Sequence, residues 1–137
     1  AIMNAIDNSA TKYKGKIMTT VLVIDDSPSE MAKFRDILAK NNFQIIEATN
    51  GIEGYQMATE HVPDVILMDV VMPEMNGFQA TRKITRDRTT KHIPVVIIST
   101  KSQETDRVWG KRQGATEYLT KPINELELMR IIRKVME

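Results

Sequence analysis

The segment VILMD, residues 65–69, is a run of four apolar residues that ends in an aspartate. Three other segments repeat the arrangement: VLVI at 21–24 precedes Asp25 and Asp26, VVII at 95–98 precedes Ser99, and YLT at 118–120 precedes Lys121. Short β-branched runs that alternate with helical patterns predict parallel strands connected by helices. Ligands bind outside the carboxyl ends of such strands, so three acids, a hydroxyl and an ammonium are expected to converge there. This set can hold a divalent cation together with a phosphoryl group.

The chain from Thr20 onward predicts five strands and five helices. Ser27 is a predicted N-cap, with Pro28 at the first helical position and Glu30 completing a capping box. The later helices are predicted over about 51–60, 78–86 and 104–112 and from residue 124 onward, and Gly114 is expected to form a left-handed cap after the fourth helix.

The apolar content of the strands predicts their places in the sheet. Strands 1, 3 and 4 are almost continuously apolar, which is typical of strands buried on both faces and therefore central. Strands 2 (44–48) and 5 (117–120) carry polar residues and are predicted edges. We fit these assignments to the order 2-1-3-4-5 of flavodoxin-like folds. The predicted fold class is α/β, a flavodoxin-like (βα)5 doubly wound domain with a five-stranded parallel sheet and helices on both faces.

Length and composition restrict the remaining possibilities. The 137 residues suit one domain, predicted over 18–137, and the formal net charge of +1 gives no whole-chain reason to expect nucleic-acid binding. No apolar run approaches the roughly 18 residues of a membrane span, so we expect no membrane insertion. The sequence contains no cysteine, which fits a reducing compartment, and the expected location is the cytoplasm. Residues 1–17 are polar, and Met18 directly precedes the first strand. We interpret 1–17 as a natural flexible leader or a segment added for expression.

Asp25-Asp26, Asp69, Ser99 and Lys121-Pro122, taken together, resemble the receiver domain of two-component response regulators. The resemblance extends from Thr20 to Glu137 and includes the pairs Met72-Pro73 and Asn76-Gly77. The surface stretch 100–122 looks more narrowly like the stand-alone receivers of type IV pilus twitching-motility systems. Each site residue alone would be ordinary, for example a solvated acid pair or a surface lysine, and their joint placement at consecutive strand ends carries the prediction.

The resemblance implies a role for each matching residue. Asp69 would accept a phosphoryl group from a sensor histidine kinase, Lys121 would neutralise phosphoryl charge, and Ser99 would donate a hydrogen bond. Mg²⁺ would be held directly by Asp26 and Asp69, by Asp25 partly through water, and by the backbone carbonyl of Val71. The family also implies a cis bond between Lys121 and Pro122.

The same resemblance implies a switch and an output surface. Tyr118 would rotate inward when Ser99 moves toward the phosphate, changing a face formed by helix 4, strand 5 and helix 5 that includes Trp109, Lys111 and Arg112. A downstream protein is expected to bind this face.

Three other functions compete with a signalling switch. The chain could be a phosphate sink for the same kinase. It could be an aspartyl-phosphate phosphatase, although Val71 stands where such enzymes carry a general acid. A flavin carrier on the same fold is disfavoured because the acidic pocket would repel a flavin phosphate. We expect that the protein is not an enzyme but a phosphoacceptor that assists its own phosphorylation and dephosphorylation.

Overall fold

The computed structural model describes residues 18–137. The predicted leader or expression segment at 1–17 lies outside the described residues. Strands and helices alternate strictly: β1 (Thr20–Ile24), α1 (Pro28–Lys40), β2 (Gln44–Ala48), α2 (Gly51–His61), β3 (Val65–Met68), α3 (Gly77–Arg86), β4 (Val95–Ser99), α4 (Glu104–Arg112), β5 (Glu117–Thr120) and α5 (Glu125–Val135). In the described part of the chain, no helix combines the length and apolar character that crossing a bilayer requires.

The five strands form one parallel sheet in the order β2-β1-β3-β4-β5, which confirms the predicted 2-1-3-4-5 topology. Val21 pairs with Ile45 on one side and with Val65 on the other, and Ile97 pairs with Tyr118 at the far edge. Every residue of β3 and β4 is buried, whereas in β2 only Ala48 is buried and the other four positions are exposed or partly buried. Burial on both faces therefore explains the continuous apolar runs of the central strands.

Two apolar cores cover the two faces of the sheet. On one face, α1 and α5 bury Phe34, Leu38 and Leu128 against Val21 and Val23. On the other, α2 and α3 pack their own apolar residues against the opposite face of β1 and β3. The helices thus lie on both sides of the sheet, as predicted, and leave the carboxyl ends of the strands free of helical cover.

The helix boundaries follow local capping. Asn76 and Gln79 form a reciprocal capping box at the start of α3, and the Asn124 side chain accepts the Glu127 N–H before α5. Gly114 follows α4 with φ +107°, in the left-handed region where glycine is favoured.

The capping box predicted at the start of α1 is only half formed. The Ser27 hydroxyl accepts the Glu30 N–H at 3.3 Å, but Glu30 does not return a bond to the Ser27 N–H. That N–H donates instead to Asp25 Oδ1 at 2.9 Å. The prediction of a complete box was wrong because Asp25, from the loop after β1, takes the donor that Glu30 would have bound.

Candidate functional site

The carboxyl ends of the strands bring the predicted site residues to one edge of the sheet. The N–H of Asp25 continues the ladder with β2, and the N–H of Asp69 donates to the Ile24 carbonyl at 2.9 Å. The Lys121 N–H donates to the Ser99 carbonyl at 2.9 Å, which places these two residues side by side. The backbone that builds the sheet therefore also fixes the start of each functional side chain.

Three carboxylates form a compact cluster at this edge. Asp25, Asp26 and Asp69 each offer an oxygen, and these oxygens lie within 4.8 Å of one another. Asp25 and Asp69 are buried, with 2% and 8% of their surface exposed, while Asp26 is exposed. Mg²⁺ takes oxygen ligands at about 2.1 Å in octahedral geometry, so its ligands lie about 3–4 Å apart. The donor set and its spacing fit a magnesium ion, with Asp26 open to solvent for the waters that Mg²⁺ retains.

Lys121 supplies the positive charge of the cluster. Its Nζ lies 3.0 Å from Asp25 Oδ2 and 3.2 Å from Asp69 Oδ1, and its side chain is 11% exposed. Burial opposes the charged form, but the hydrogen bond to Asp25 and the charges of Asp69 and Asp25 outweigh it and raise the pKa of Lys121. The lysine therefore remains an ammonium beside the proposed acceptor. The bond from Lys121 to Pro122 is cis, as the resemblance implied.

The negative charge of Asp69 is not fully balanced by the side chains around it. Burial and the neighbouring charge of Asp25 raise its pKa from 3.8 to about 6, although Lys121 pulls in the opposite direction. The single ammonium of Lys121 therefore does not neutralise the charges of the two buried carboxylates, Asp25 and Asp69. A divalent cation at the cluster would remove this deficit, which is a second reason why the residues present suit Mg²⁺.

Ser99 is the last residue of β4, and Tyr118 lies on the neighbouring strand β5. Ser99 is fully buried, and its hydroxyl accepts the Lys101 N–H at 3.0 Å. Tyr118 is 5% exposed, and its hydroxyl donates to the Lys101 carbonyl at 2.7 Å. The structure therefore shows the Tyr118 ring buried, with its hydroxyl held by the segment after Ser99. Its rotation, and its coupling to Ser99, stay predictions.

Arg107 is a residue of this region that the sequence analysis missed. Its guanidinium donates to Thr120 Oγ1 at 2.7 Å and lies 5.3 Å from the centre of the Tyr118 ring. It thereby ties α4 to β5 and covers the ring of the predicted switch. These contacts join separate elements, so the local pattern around residue 107 gave no signal for them.

The segment after Asp69 forms the rim of the site. Gly77 packs so closely that a Cβ there would lie 1.9 Å from the Asp69 carbonyl oxygen, and its N–H binds the Val70 carbonyl at 2.8 Å. Val71 has a side chain that is 60% exposed, and its carbonyl accepts no backbone N–H among residues 18–137. That carbonyl is available for the predicted ligand role, which stays a prediction. A cavity of about 400 Å³ extends from Val71 to Lys101 and Trp109.

Comparison with known proteins shows which family this fold and this cluster of site residues match. The family model described as the response regulator receiver domain matches residues 21–133. The chain is 53% identical to Protein PilH of Pseudomonas aeruginosa over 119 residues, covering 87% of this chain and 98% of that protein.

Solved structures of related proteins have the same fold as this chain. The receiver domain of sensor histidine kinase PA1611 from Pseudomonas aeruginosa, which has a magnesium ion coordinated in its active-site cleft, superposes with a TM-score of 0.81 at 25% identity. That match covers 87% of this chain and 98% of the other. The CheX-CheY-BeF₃-Mg complex from Borrelia burgdorferi gives a TM-score of 0.85 at 25% identity, covering 91% and 94%.

Proposed function

This chain belongs to the response regulator receiver family, and on that premise we propose that it is a single-domain regulator of a two-component phosphorelay that acts in type IV pilus twitching motility. It accepts a phosphoryl group on Asp69 from a sensor histidine kinase, in the cytoplasm, and then changes its affinity for a downstream protein. It is not itself an enzyme. The likeness to PilH over nearly the whole length of that protein supports the assignment to pilus motility.

The chemistry follows from the arrangement at the strand ends. A carboxylate oxygen of Asp69 attacks the phosphorus of a phosphohistidine, and the phosphorus–nitrogen bond breaks as the new oxygen–phosphorus bond forms. The imidazole leaves with the electron pair and takes up a proton. Lys121, already within 3.2 Å of Asp69, neutralises charge on the phosphoryl oxygens, and Ser99 donates to one of them.

Asp26, Asp69 and the Val71 carbonyl would hold Mg²⁺ directly, with Asp25 acting partly through water. Bound Mg²⁺ supplies the positive charge that lets two anions approach each other. The observation that supports this proposal most strongly is the pairing of one buried ammonium with two buried carboxylates inside a cluster of three acids.

The exposed face of α4, β5 and α5 is the proposed docking surface for the downstream protein. Trp109 is 47% exposed and Val108 is 43% exposed, next to the exposed cations Lys111 and Arg112. A cavity of about 590 Å³ lies between Tyr118 and the residues Val108, Lys111 and Arg112. The direct contact of Arg107 with Tyr118 connects this surface to the residues that face the phosphate.

Acetyl phosphate with Mg²⁺ tests the proposal, with intact mass as the readout of phosphorylation. The parent and an Asp36→Asn control, altered at an exposed acid of α1, should be labelled equally. Asp69→Asn should not be labelled, and excess EDTA should prevent labelling of every variant. Labelling of Asp69→Asn, or undiminished labelling in EDTA, would overturn the assignment.

A phosphate sink is the second candidate, because the exposed Val71 leaves the rim of the site open to water. A sink should lose its phosphoryl group quickly, and its BeF₃⁻-activated form should capture no additional protein. An output regulator should keep the group long enough to bind its target, and the activated form should capture a partner that the unmodified form does not.

A further inference from the structure

A basic groove lies between α2 and α3, on the part of the molecule that the proposed phosphorelay chemistry does not use. It encloses about 460 Å³ and is lined by Tyr55, Gln79, Arg82, Lys83, Arg86 and Asp87. Three of these residues are cations and one is an acid. Residues 82–92 carry a formal charge of +4, five cations against one acid, although the whole chain carries only +1.

Two of the three cations of the groove, Arg82 and Arg86, form no ion pair within the described part of the fold. Elsewhere on the surface, Arg35 is paired with Glu47 at 2.7 Å and Lys40 with Glu125 at 2.9 Å. By contrast, no carboxylate of residues 18–137 lies within ion-pair distance of Arg82 or Arg86, and both side chains are exposed. Cations at the end of a helix stabilise its dipole, but that effect requires only the last turn and does not explain Arg82.

The floor of the groove is held in a fixed arrangement. The Tyr55 hydroxyl of α2 donates to the Asp87 carboxylate at the end of α3, and the Lys83 ammonium lies 4.9 Å from the centre of the Tyr55 ring. Asp87 Oδ1 also accepts the Thr89 N–H at 2.8 Å. These neutral donors hold Asp87 in place without cancelling its charge. Neither guanidinium group forms an ion pair with Asp87 or with another carboxylate of residues 18–137, so both can bind an external anion.

We propose that this groove binds an acidic segment of a partner polypeptide, and that it does so whether or not Asp69 is phosphorylated. Arg82 and Arg86 are one helical turn apart, so their side chains start about 6 Å from each other on the same face. Alternate side chains of an extended peptide are about 7 Å apart. Two glutamate or aspartate side chains at this spacing can therefore each bind one of the two guanidinium groups. We expect independence from phosphorylation because no hydrogen bond or ion pair of residues 18–137 joins the groove residues to Asp69, Lys121 or Tyr118.

Other anionic partners fit this site less well. Single-stranded nucleic acid binds by stacking bases on aromatic rings, and Lys83 already covers a face of the one ring that lines the groove. An anionic membrane attracts surfaces that insert apolar side chains beside their cations, whereas the described lining of this site holds one aromatic residue and no aliphatic one.

Fluorescence anisotropy with a labelled peptide of alternating glutamate and serine tests the proposal, and a peptide with glutamine in place of each glutamate is the control. The double variant Arg82→Gln/Arg86→Gln should weaken binding about tenfold. Arg130→Gln/Arg133→Gln removes the same charge from α5 and should change the affinity less than twofold. Asp87→Asn removes the acid of the groove and should strengthen binding.

Asp69→Asn separates this inference from the proposed phosphorelay, because it should abolish phosphorylation and leave the peptide affinity unchanged. Amide NMR shifts of the parent on peptide addition should map to residues 51–61 and 77–92. An equal loss of affinity in the two arginine double variants, or shifts confined to α4 and α5, would overturn the proposal. So would binding of anionic vesicles or a single-stranded oligonucleotide at Arg82 and Arg86 without binding of the peptide.

Discussion

Replacing Asp69 by asparagine should stabilise the protein when no metal is bound. The folded chain raises the pKa of Asp69 from 3.8 to about 6, because burial and the charge of Asp25 disfavour its ionised form. At about pH 7 the carboxylate is ionised in both the folded and the unfolded protein, so its full electrostatic cost is present. Below about pH 4 it is protonated in both, and the cost vanishes. The folded state therefore acquires this cost, and becomes less stable, as the pH rises from about 4 to about 6.

The size of the effect follows from the same pKa difference. The interval between 3.8 and about 6 corresponds to about 3 kcal/mol if the site were fully shielded from water. Asp69 lies at an open edge of the sheet beside the exposed Asp26, and solvent screens part of this energy. We therefore expect Asp69→Asn to gain about 1–2 kcal/mol of unfolding free energy at about pH 7. The amide keeps the shape of the side chain and an oxygen that can accept from Lys121.

Urea denaturation in EDTA, measured at several pH values between about 4 and 8, gives the required free energies. Other acids titrate over this range, but they do so in both proteins and cancel in the difference. Asp36→Asn, at an exposed position of α1, is the matched control and should stay within about 0.5 kcal/mol of the parent at every pH. A gain from Asp69→Asn that does not shrink as the pH falls would refute the reasoning, as would a variant no more stable than the parent at about pH 7. Added Mg²⁺ should stabilise the parent and leave Asp69→Asn largely unaffected.

Three further changes test other parts of the site. Gly77→Ala should cost about 2–3 kcal/mol of unfolding free energy and weaken Mg²⁺ binding, because the added Cβ would meet the Asp69 carbonyl. Gly110→Ala is the control, since its Cβ would meet only side chains, at 3.0 Å or more, and urea unfolding should show a smaller loss of stability. Lys121→Met should slow phosphorylation by acetyl phosphate about a hundredfold while Mg²⁺ binding, followed by calorimetry, is retained, since the lysine is not a metal ligand; an unchanged rate would contradict its role. Val71→Asn should change the rate of phosphate loss without preventing labelling, which a time course of intact mass would show, and identical decay in parent and variant would count against a role for this position at the rim.

The sheet was predictable because its determinants are local. Three apolar runs long enough for a strand, but too short for a helix, identify the central strands, and polar residues identify the two edges. Several helix ends were predictable for the same reason: Asn124 is a side-chain cap that acts within one turn, and Gly114 has the backbone freedom its position requires. The convergence of Asp25, Asp69 and Lys121 then follows from topology, since parallel strands present their carboxyl ends at one edge.

The features that sequence reasoning missed depend on competition between distant groups. Nothing in the pattern S-x-x-E shows that Asp25 will take the Ser27 N–H and leave Glu30 without its part of the capping box. The contacts of Arg107 with Thr120 likewise appear only when α4 is packed beside β5. Each case involves a donor with two possible acceptors, and the choice is made by the packed structure.

The same competition gives a physical basis for the different metal roles that the family resemblance implies for the two neighbouring acids. Both oxygens of Asp25 are engaged, Oδ1 by the Ser27 N–H at 2.9 Å and Oδ2 by the Lys121 ammonium at 3.0 Å. Asp26 accepts no hydrogen bond from residues 18–137 and is exposed. A cation that bound Asp25 directly would have to compete with an ammonium at the same oxygen, whereas binding at Asp26 displaces only water. The family resemblance implies direct ligation by Asp26 and a partly water-mediated role for Asp25, and the hydrogen bonds of this chain favour that division because Asp25 is already occupied in holding Lys121 against Asp69.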